Sequence, residues 1–259
     1  MSTATLGVLP ASADVPGVIR LTALHAKYNL IETFRTPIAV IGGLVFPALA
    51  LLFFVVPNRV VAENPEFATA AIISMSVFAV MSNGLFSFGL TIAEGREKPW
   101  DPYLRTLPAS GLSRVLAQVF STGALGLVAI VPVVIVGGLF TAAEASVGRI
   151  GFGLIALAIA ALPFMLIGIC VGYAMPMKAA IAVVQVIMFG LAFGGGLFLP
   201  PQMFADWLNT LSKWFPTRQA REFVIWAVQG GELQWWACVG IIAWTVMLLA
   251  LALFLFRRD

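Results

Sequence analysis

The chain is 259 residues long, 61% hydrophobic and only 10% charged, with a formal net charge of +3 and a mean hydropathy of +1.00. Soluble domains carry about a quarter charged residues, so this composition excludes an ordinary globular protein, and the small basic excess is no sign of a nucleic-acid partner. The apolar runs are continuous rather than alternating in ~10-residue segments, which excludes a transmembrane β-barrel.

In chain order, residues 1–16 are small, polar and proline-containing, and read as a loose tail. Over residues 17–35, Val18, Leu21, Leu24, Tyr28 and Ile31 recur at three- and four-residue steps, with Arg20, Lys27 and Glu32 elsewhere on the wheel. This predicts an amphipathic helix at the membrane interface, the plainer alternative being the foot of the first span. His25, the one histidine, lies in it and reads as a headgroup-level residue. Thr36-Pro37 ends that piece, so residues 1–36 form a tail plus interfacial helix.

Crossing a hydrocarbon core of ~30 Å takes about 20 apolar residues as helix. Six runs qualify: Ile38–Val56, Thr69–Ile92, Val115–Phe140, Ile150–Ala174, Ala179–Leu199 and Ala237–Phe256. The expected fold is an all-α integral membrane protein, one transmembrane domain over residues 1–259 with six transmembrane helices. No secretory signal is evident, so the first run reads as a retained span. Gly194-Gly195-Gly196 either loosens the fifth span near its outer end or permits close packing. Between the last two spans, residues 200–236 are long and aromatic. Phe204, Trp207, Leu208, Leu211 and Phe215 share one helical face there, and residues 222–229 suit a second short helix, so short re-entrant outer helices are expected.

Lysine and arginine placement sets orientation. With an even number of spans, Arg20, Lys27, Arg35, Arg96, Lys98, Arg105, Arg114, Lys178, Arg257 and Arg258 lie on one side. Arg59, Arg149, Lys213, Arg218 and Arg221 lie on the other. The bias puts both termini in the cytoplasm of a multi-pass protein of the cell membrane.

No Asp, Glu, Lys, Arg or His lies well inside any of the six runs, which disfavours a proton- or ion-coupled transporter. One histidine and no buried carboxylate make catalysis in the membrane improbable, and Cys170 and Cys238 have no metal-ligand spacing and read as packing residues. The chain has no Gly-Lys pair and hence no P-loop; if it pumps, ATP and Mg are bound by another polypeptide, and it needs no cofactor of its own. Mild polarity remains. Ser76, Asn83 and Ser87 share one face of the second span, and Gln185, Phe189 and Phe193 stack on the fifth. Both stripes suit either a path for an amphipathic substrate or hydrogen bonding between packed helices.

Six of the charged residues, drawn from 15 basic and 12 acidic, crowd between the second and third spans: Glu94, Arg96, Glu97, Lys98, Asp101 and Arg105. Trp100, Tyr103, Leu104 and Leu107 are interleaved with them. Pro99 and Pro102 suit the start of a short helix and Pro108 its end. Apolar anchors with a charged rim are what a docking contact needs, so residues 93–114 read as a cytoplasmic loop that holds a soluble partner.

This run, from Glu94 through Leu104-Arg105-Thr106-Leu107-Pro108-Ala109-Ser110, resembles the second-to-third-span loop of type-2 ABC exporter permeases. There the pattern is approximately Glu-Arg-Glu-x-Gly-Thr, then Leu-x-x-Leu-x-x-x-Pro. A basic helix ending in Phe34-Arg35-Thr36-Pro37, six spans without a fused ATPase and a proline-rich outer segment agree with it; Lys98-Pro99 stands where the family often has Gly-Thr. The resemblance implies that Glu94, Arg96, Glu97, Trp100, Asp101, Tyr103, Leu104, Arg105 and Leu107 belong to a coupling helix seated on a separate P-loop ATPase. It also implies two ATPase copies, a second permease chain (homo- or heterodimer), and an outer gate containing Phe204, Trp207, Leu211 and Phe215. The cargo expected is a small hydrophobic or amphipathic compound such as a drug, antibiotic or lipid, with a polysaccharide or haem exporter also open. The alternative from another class is a membrane scaffold that recruits a soluble protein through the same loop without transport.

Overall fold

Inside a bilayer each backbone N–H and C=O must find its partner within its own segment, and the apolar runs accordingly fold as helices. The structure is a computed structural model that describes residues 18–34, 45–98 and 111–258; its regular elements are all helical. These are α1 (Val18–Phe34), α2 (Val45–Val55, π-helical from Leu51), α3 (Arg59–Ala62), α4 (Pro65–Glu97), α5 (Gly111–Val128) and α6 (Ile130–Phe140). Then follow α7 (Val147–Ala174), α8 (Met177–Gly194), a 3-10 turn (Pro201–Met203), α9 (Asp206–Ser212), α10 (Pro216–Gln229) and α11 (Trp235–Arg258).

Among the described residues, five segments are long and apolar enough to cross a membrane: α4, Phe120–Phe140 across α5 and α6, α7, α8 and α11. Where a sixth crossing was expected at Ile38–Val56, the described part is the shorter apolar α2. The third span is interrupted at Ala129. Pro132 has no N–H for the Val128 carbonyl four residues back, and its ring crowds that carbonyl. The fifth ends at Gly194, five residues short of the expected Leu199, because Gly196 takes φ +77°. Leu197 N–H then reaches Ala192 O at 2.9 Å and Gly196 N–H reaches Phe193 O at 3.3 Å, the two bonds of a Schellman stop.

Helix α4 is the centre. Asn64 caps its start, accepting from the N–H groups of Glu66 (3.0 Å) and Phe67 (3.2 Å), and Pro65 occupies the first turn where no N–H is needed. At 33 residues it is about 50 Å long, so its charged ends outreach the ~30 Å hydrocarbon layer. Phe78, Met81, Leu85 and Phe88 pack with Phe164 of α7, Val184 of α8 and Val224 of α10 in the main core. The approach to α7 is backbone on backbone. A Cβ on Gly168 would lie 2.8 Å from Gly84 O, and one on Gly172 2.9 Å from Gly89 O, so only glycine fits this Gly-x-x-x-Gly seam. The outermost spans, α8 and α11, turn wide apolar faces outward.

Helix α1 forms as expected, but its seating differs from a simple apolar-face-in arrangement. Thr22 is buried and His25 half-buried, while Leu24, Tyr28 and Ile31 are exposed beside Arg20 and Lys27. Leu24, Tyr28 and Ile31 of the apolar row thus face away from the bundle.

Candidate functional site

Two ends of the bundle matter, and α4 runs between them. At the first, consecutive side chains of its last turn serve opposite helix termini. Arg96 Nη1 donates to Gly172 O (3.2 Å) and Tyr173 O (2.8 Å) in the last turn of α7. Glu97 Oε1 accepts the N–H of Met177, 2.8 Å away, at the first turn of α8. Helix C-termini leave carbonyls unpaired and carry partial negative charge; N-termini are the reverse. The Arg-Glu order therefore matches the sign of each end, and Pro176 before α8 has no side-chain cap of its own. Glu94 pairs with Lys98 at 3.0 Å on the exposed side. The root of the charged segment is thus clamped to the α7–α8 turn. Of the expected docking residues, Glu94, Arg96 and Glu97 are placed here; Trp100, Asp101, Tyr103, Leu104, Arg105 and Leu107 lie outside the described residues.

The polar stripes lie on different surfaces. Asn83 Nδ2 donates to Thr122 O on α5 (2.9 Å) and so joins α4 to α5, while Ser87 Oγ donates to Asn83 Oδ1 (2.9 Å) within α4 and orients that amide. Ser76 turns back to Ile72 O of its own helix at 2.8 Å. On α8, Gln185, Phe189 and Phe193 are all exposed along the outward face. Phe193 also touches Phe198 (ring centroids 5.1 Å), which leans on Phe78 (4.9 Å).

At the opposite end the chain folds back through α9 and α10. Of the expected gate residues, Trp207 and Leu211 are exposed, whereas Phe204 and Phe215 are half-buried; the Phe215 ring presses on Gly194. Trp214 is exposed as well, its carbonyl accepting from Trp244 Nε1 at 2.9 Å. Helix α10 buries Thr217, Ala220, Arg221 and Val224, a stripe at helical spacing. Thr217 Oγ1 donates to Leu191 O near the end of α8 (2.8 Å), and Gln229 Nε2 to Glu66 O at the start of α4 (2.7 Å).

Arg221 is the residue that sequence reasoning missed. It was counted as a loop cation, yet it is 5% exposed and donates from Nε to Ser74 Oγ on α4 (2.9 Å). Ser74 sits nine residues into α4, about 13 Å from its start. Glu222 Oε1 accepts from Arg221 Nη1 at 2.7 Å and pairs with Arg218 Nε at 3.1 Å, so two guanidiniums share one carboxylate. Burial pushes Arg218 down to about 10, with Glu222 opposing the shift and Arg221 adding to it. Burial likewise lowers Arg221. No apolar run contains these groups; α10 carries them in. The available signal was the Thr217, Ala220, Arg221, Val224 spacing, in which Arg221 falls on the inward stripe.

Comparison with known proteins places this geometry in context. Residues 21–229 match the model of the ABC-2 type transporter family. The chain is also similar to the "Putative transport permease YvfS" of Bacillus subtilis (strain 168), 22% identical over 229 residues that cover 88% of this chain and 94% of that protein.

Proposed function

Because this chain belongs to the ABC-2 type transporter family, we propose that it is the permease subunit of an ATP-driven exporter that moves a hydrophobic or amphipathic compound out of the cytoplasm or inner leaflet. Family membership makes it a multi-pass membrane protein and a transporter permease subunit whose working partner is an ATP-binding subunit. The observation that supports coupling to a separate ATPase is the clamp at Arg96 and Glu97. The charged segment, read as a coupling helix on the ATPase, hangs from a root tied to both α7 and α8, so force applied there passes into two spans at once.

In this reading the sixth crossing is completed by α2 with the residues preceding it, both termini are cytoplasmic, and α9 and α10 dip into the outer leaflet as a re-entrant gate. Exposed Trp207 and Trp214 suit such an interface. The exposed Gln185, Phe189 and Phe193 face lines the path together with a second permease chain, while Asn83, Ser87 and Ser76 serve packing. Two ATPases bind ATP and Mg and bias the pair between inward- and outward-facing states. The permease makes no bond in the cycle. Purification from the native host in mild detergent, with identification of every stoichiometric partner, tests this: one P-loop ATPase per chain is expected, and a preparation that holds none even after crosslinking overturns it.

A further inference from the structure

We propose that Arg221 is a positioning residue whose bond to Ser74 makes α10 ride on α4 and α7 as one rigid body, so that movement imposed at the Arg96 end is delivered to the outer helix without a joint between. The two bodies that Arg221 joins are already stiff. Helix α4 runs unbroken for 33 residues and meets α7 through the Gly168 and Gly172 seam, where the backbones approach too closely for any side chain at those two positions of α7. Helix α10 meets this pair along its length. Its Val228 fills the space over Gly153 of α7, and its end is held by Gln229 on Glu66 O.

Apolar contacts are non-directional, so the register of the short helix is set by its polar bonds and close fits. The buried guanidinium supplies one of those bonds. It is a fixed fork of donors that stays charged, and although Glu222 travels with it on the same helix, a slip would leave its Nε donor without Ser74 in a low-dielectric interior. Ser74 is suited to receive it: its hydroxyl donates to Ala70 O at 2.9 Å, leaving lone pairs for Arg221 Nε. The nearby Glu222 balances the charge locally, so the bond to Ser74 sets position rather than neutrality. The rigid unit stands on these contacts; only the force that moves it rests on the permease reading.

Two measurements on one cysteine-free background (Cys170→Ala, Cys238→Ala) test this. In the first, Val224→Cys, at a site 0% exposed, reports undocking of α10 through its labelling rate with N-ethylmaleimide in membranes. Loss of one charge-assisted hydrogen bond corresponds to about a tenfold or greater rise in the undocked population. Arg221→Met and Ser74→Ala should therefore each label about tenfold faster, with Arg221→Lys, whose single ammonium lacks the fork that meets Ser74 and Glu222 together, also faster than the parent; unchanged rates overturn the latch. In the second, Gly153→Cys with Val228→Cys locks α10 to α7. An ideal Cβ on Gly153 lies 3.9 Å from Val228 Cβ, inside the ~3.5–4.5 Å that a disulfide needs. ATP turnover by the permease with its co-purified ATPase should agree within about threefold between oxidised and reduced forms. A larger loss that reductant reverses means that α10 moves against α7 and overturns the proposal. Failure to recover any ATPase would instead sink the permease reading, and the labelling arm would still decide the latch.

Discussion

Replacing Glu222 by Gln keeps the shape of the side chain and removes the one carboxylate shared by two buried guanidiniums, 2.7 Å from Arg221 and 3.1 Å from Arg218. Removing one partner of a buried ion pair costs about 3–5 kcal/mol, since the remaining charge has no water to return to. Here two like charges remain, so the upper part of that range applies. At about 2–4 °C per kcal/mol for a chain of this size, the midpoint of thermal unfolding should fall by about 8–20 °C. Arg221→Met is the informative contrast. It leaves Arg218 and Glu222 as a balanced pair and puts a flexible apolar chain in the vacated space. The loss is then two bonds, to Ser74 and to Glu222, offset by apolar burial and by the removed cost of holding a second guanidinium out of water, so the fall should be smaller than for Glu222→Gln. Purified protein in detergent, with Cys238→Ala and the buried Cys170 thiol reporting unfolding to a maleimide fluorophore, measures both. A Glu222→Gln midpoint within about 2 °C of the parent, or a larger fall for Arg221→Met, would refute the shared-carboxylate account.

Other consequences follow from the helix contacts. Gly168→Leu forces atoms into a 2.8 Å gap against Gly84 O and should destabilise by about 1–3 kcal/mol or more, whereas Gly151→Ala, with nothing within 4 Å, should lie within about 0.5 kcal/mol of the parent; the same thermal assay reads both. Glu97→Ala removes the side chain that caps Met177, a loss of about 0.5–2 kcal/mol, and amides 177–180 should exchange hydrogen about 2- to 30-fold faster. Equal exchange would mean that the clamp carries no free energy.

How much was legible depended on whether information lay along the chain or between its parts. Long apolar runs such as Ile150–Ala174 announce a span by themselves, and α7 (Val147–Ala174) begins and ends within three residues of that expectation. Helix ends set by dihedral chemistry were less legible. Any one of Gly194, Gly195 and Gly196 fits a stop, and only the fold shows Gly196 supplying the positive φ while Gly194 and Gly195 make room for Phe215 and Thr217. Both alternatives raised for that triplet are therefore partly realised. Contacts between remote segments were illegible. Arg96 and Glu97 read as partner-facing charges because nothing local announces that Gly172, Tyr173 and Met177 lie beside them. Arg221 read as a loop cation because its burial comes from α10 folding back onto α4, 147 residues earlier in the chain. In the stripe of Ser76, Asn83 and Ser87, both serines bond within α4, to Ile72 O and to Asn83 Oδ1, and Asn83 alone reaches α5, a division that spacing alone does not encode.

The central claim is that a separate ATPase drives this permease through the charged segment that follows the Arg96 and Glu97 clamp. Its most direct measurement is retention of the ATPase on affinity-purified parent chain and on the Trp100→Asp, Leu104→Asp double variant, with membrane insertion of both checked by alkaline extraction. Desolvated aromatic and leucine anchors each contribute about 2 kcal/mol or more to such contacts. The account predicts a stoichiometric ATPase on the parent and a loss of about a hundredfold or more in retention on the inserted variant. Equal retention on both would contradict it and would move the docking surface away from residues 99–110.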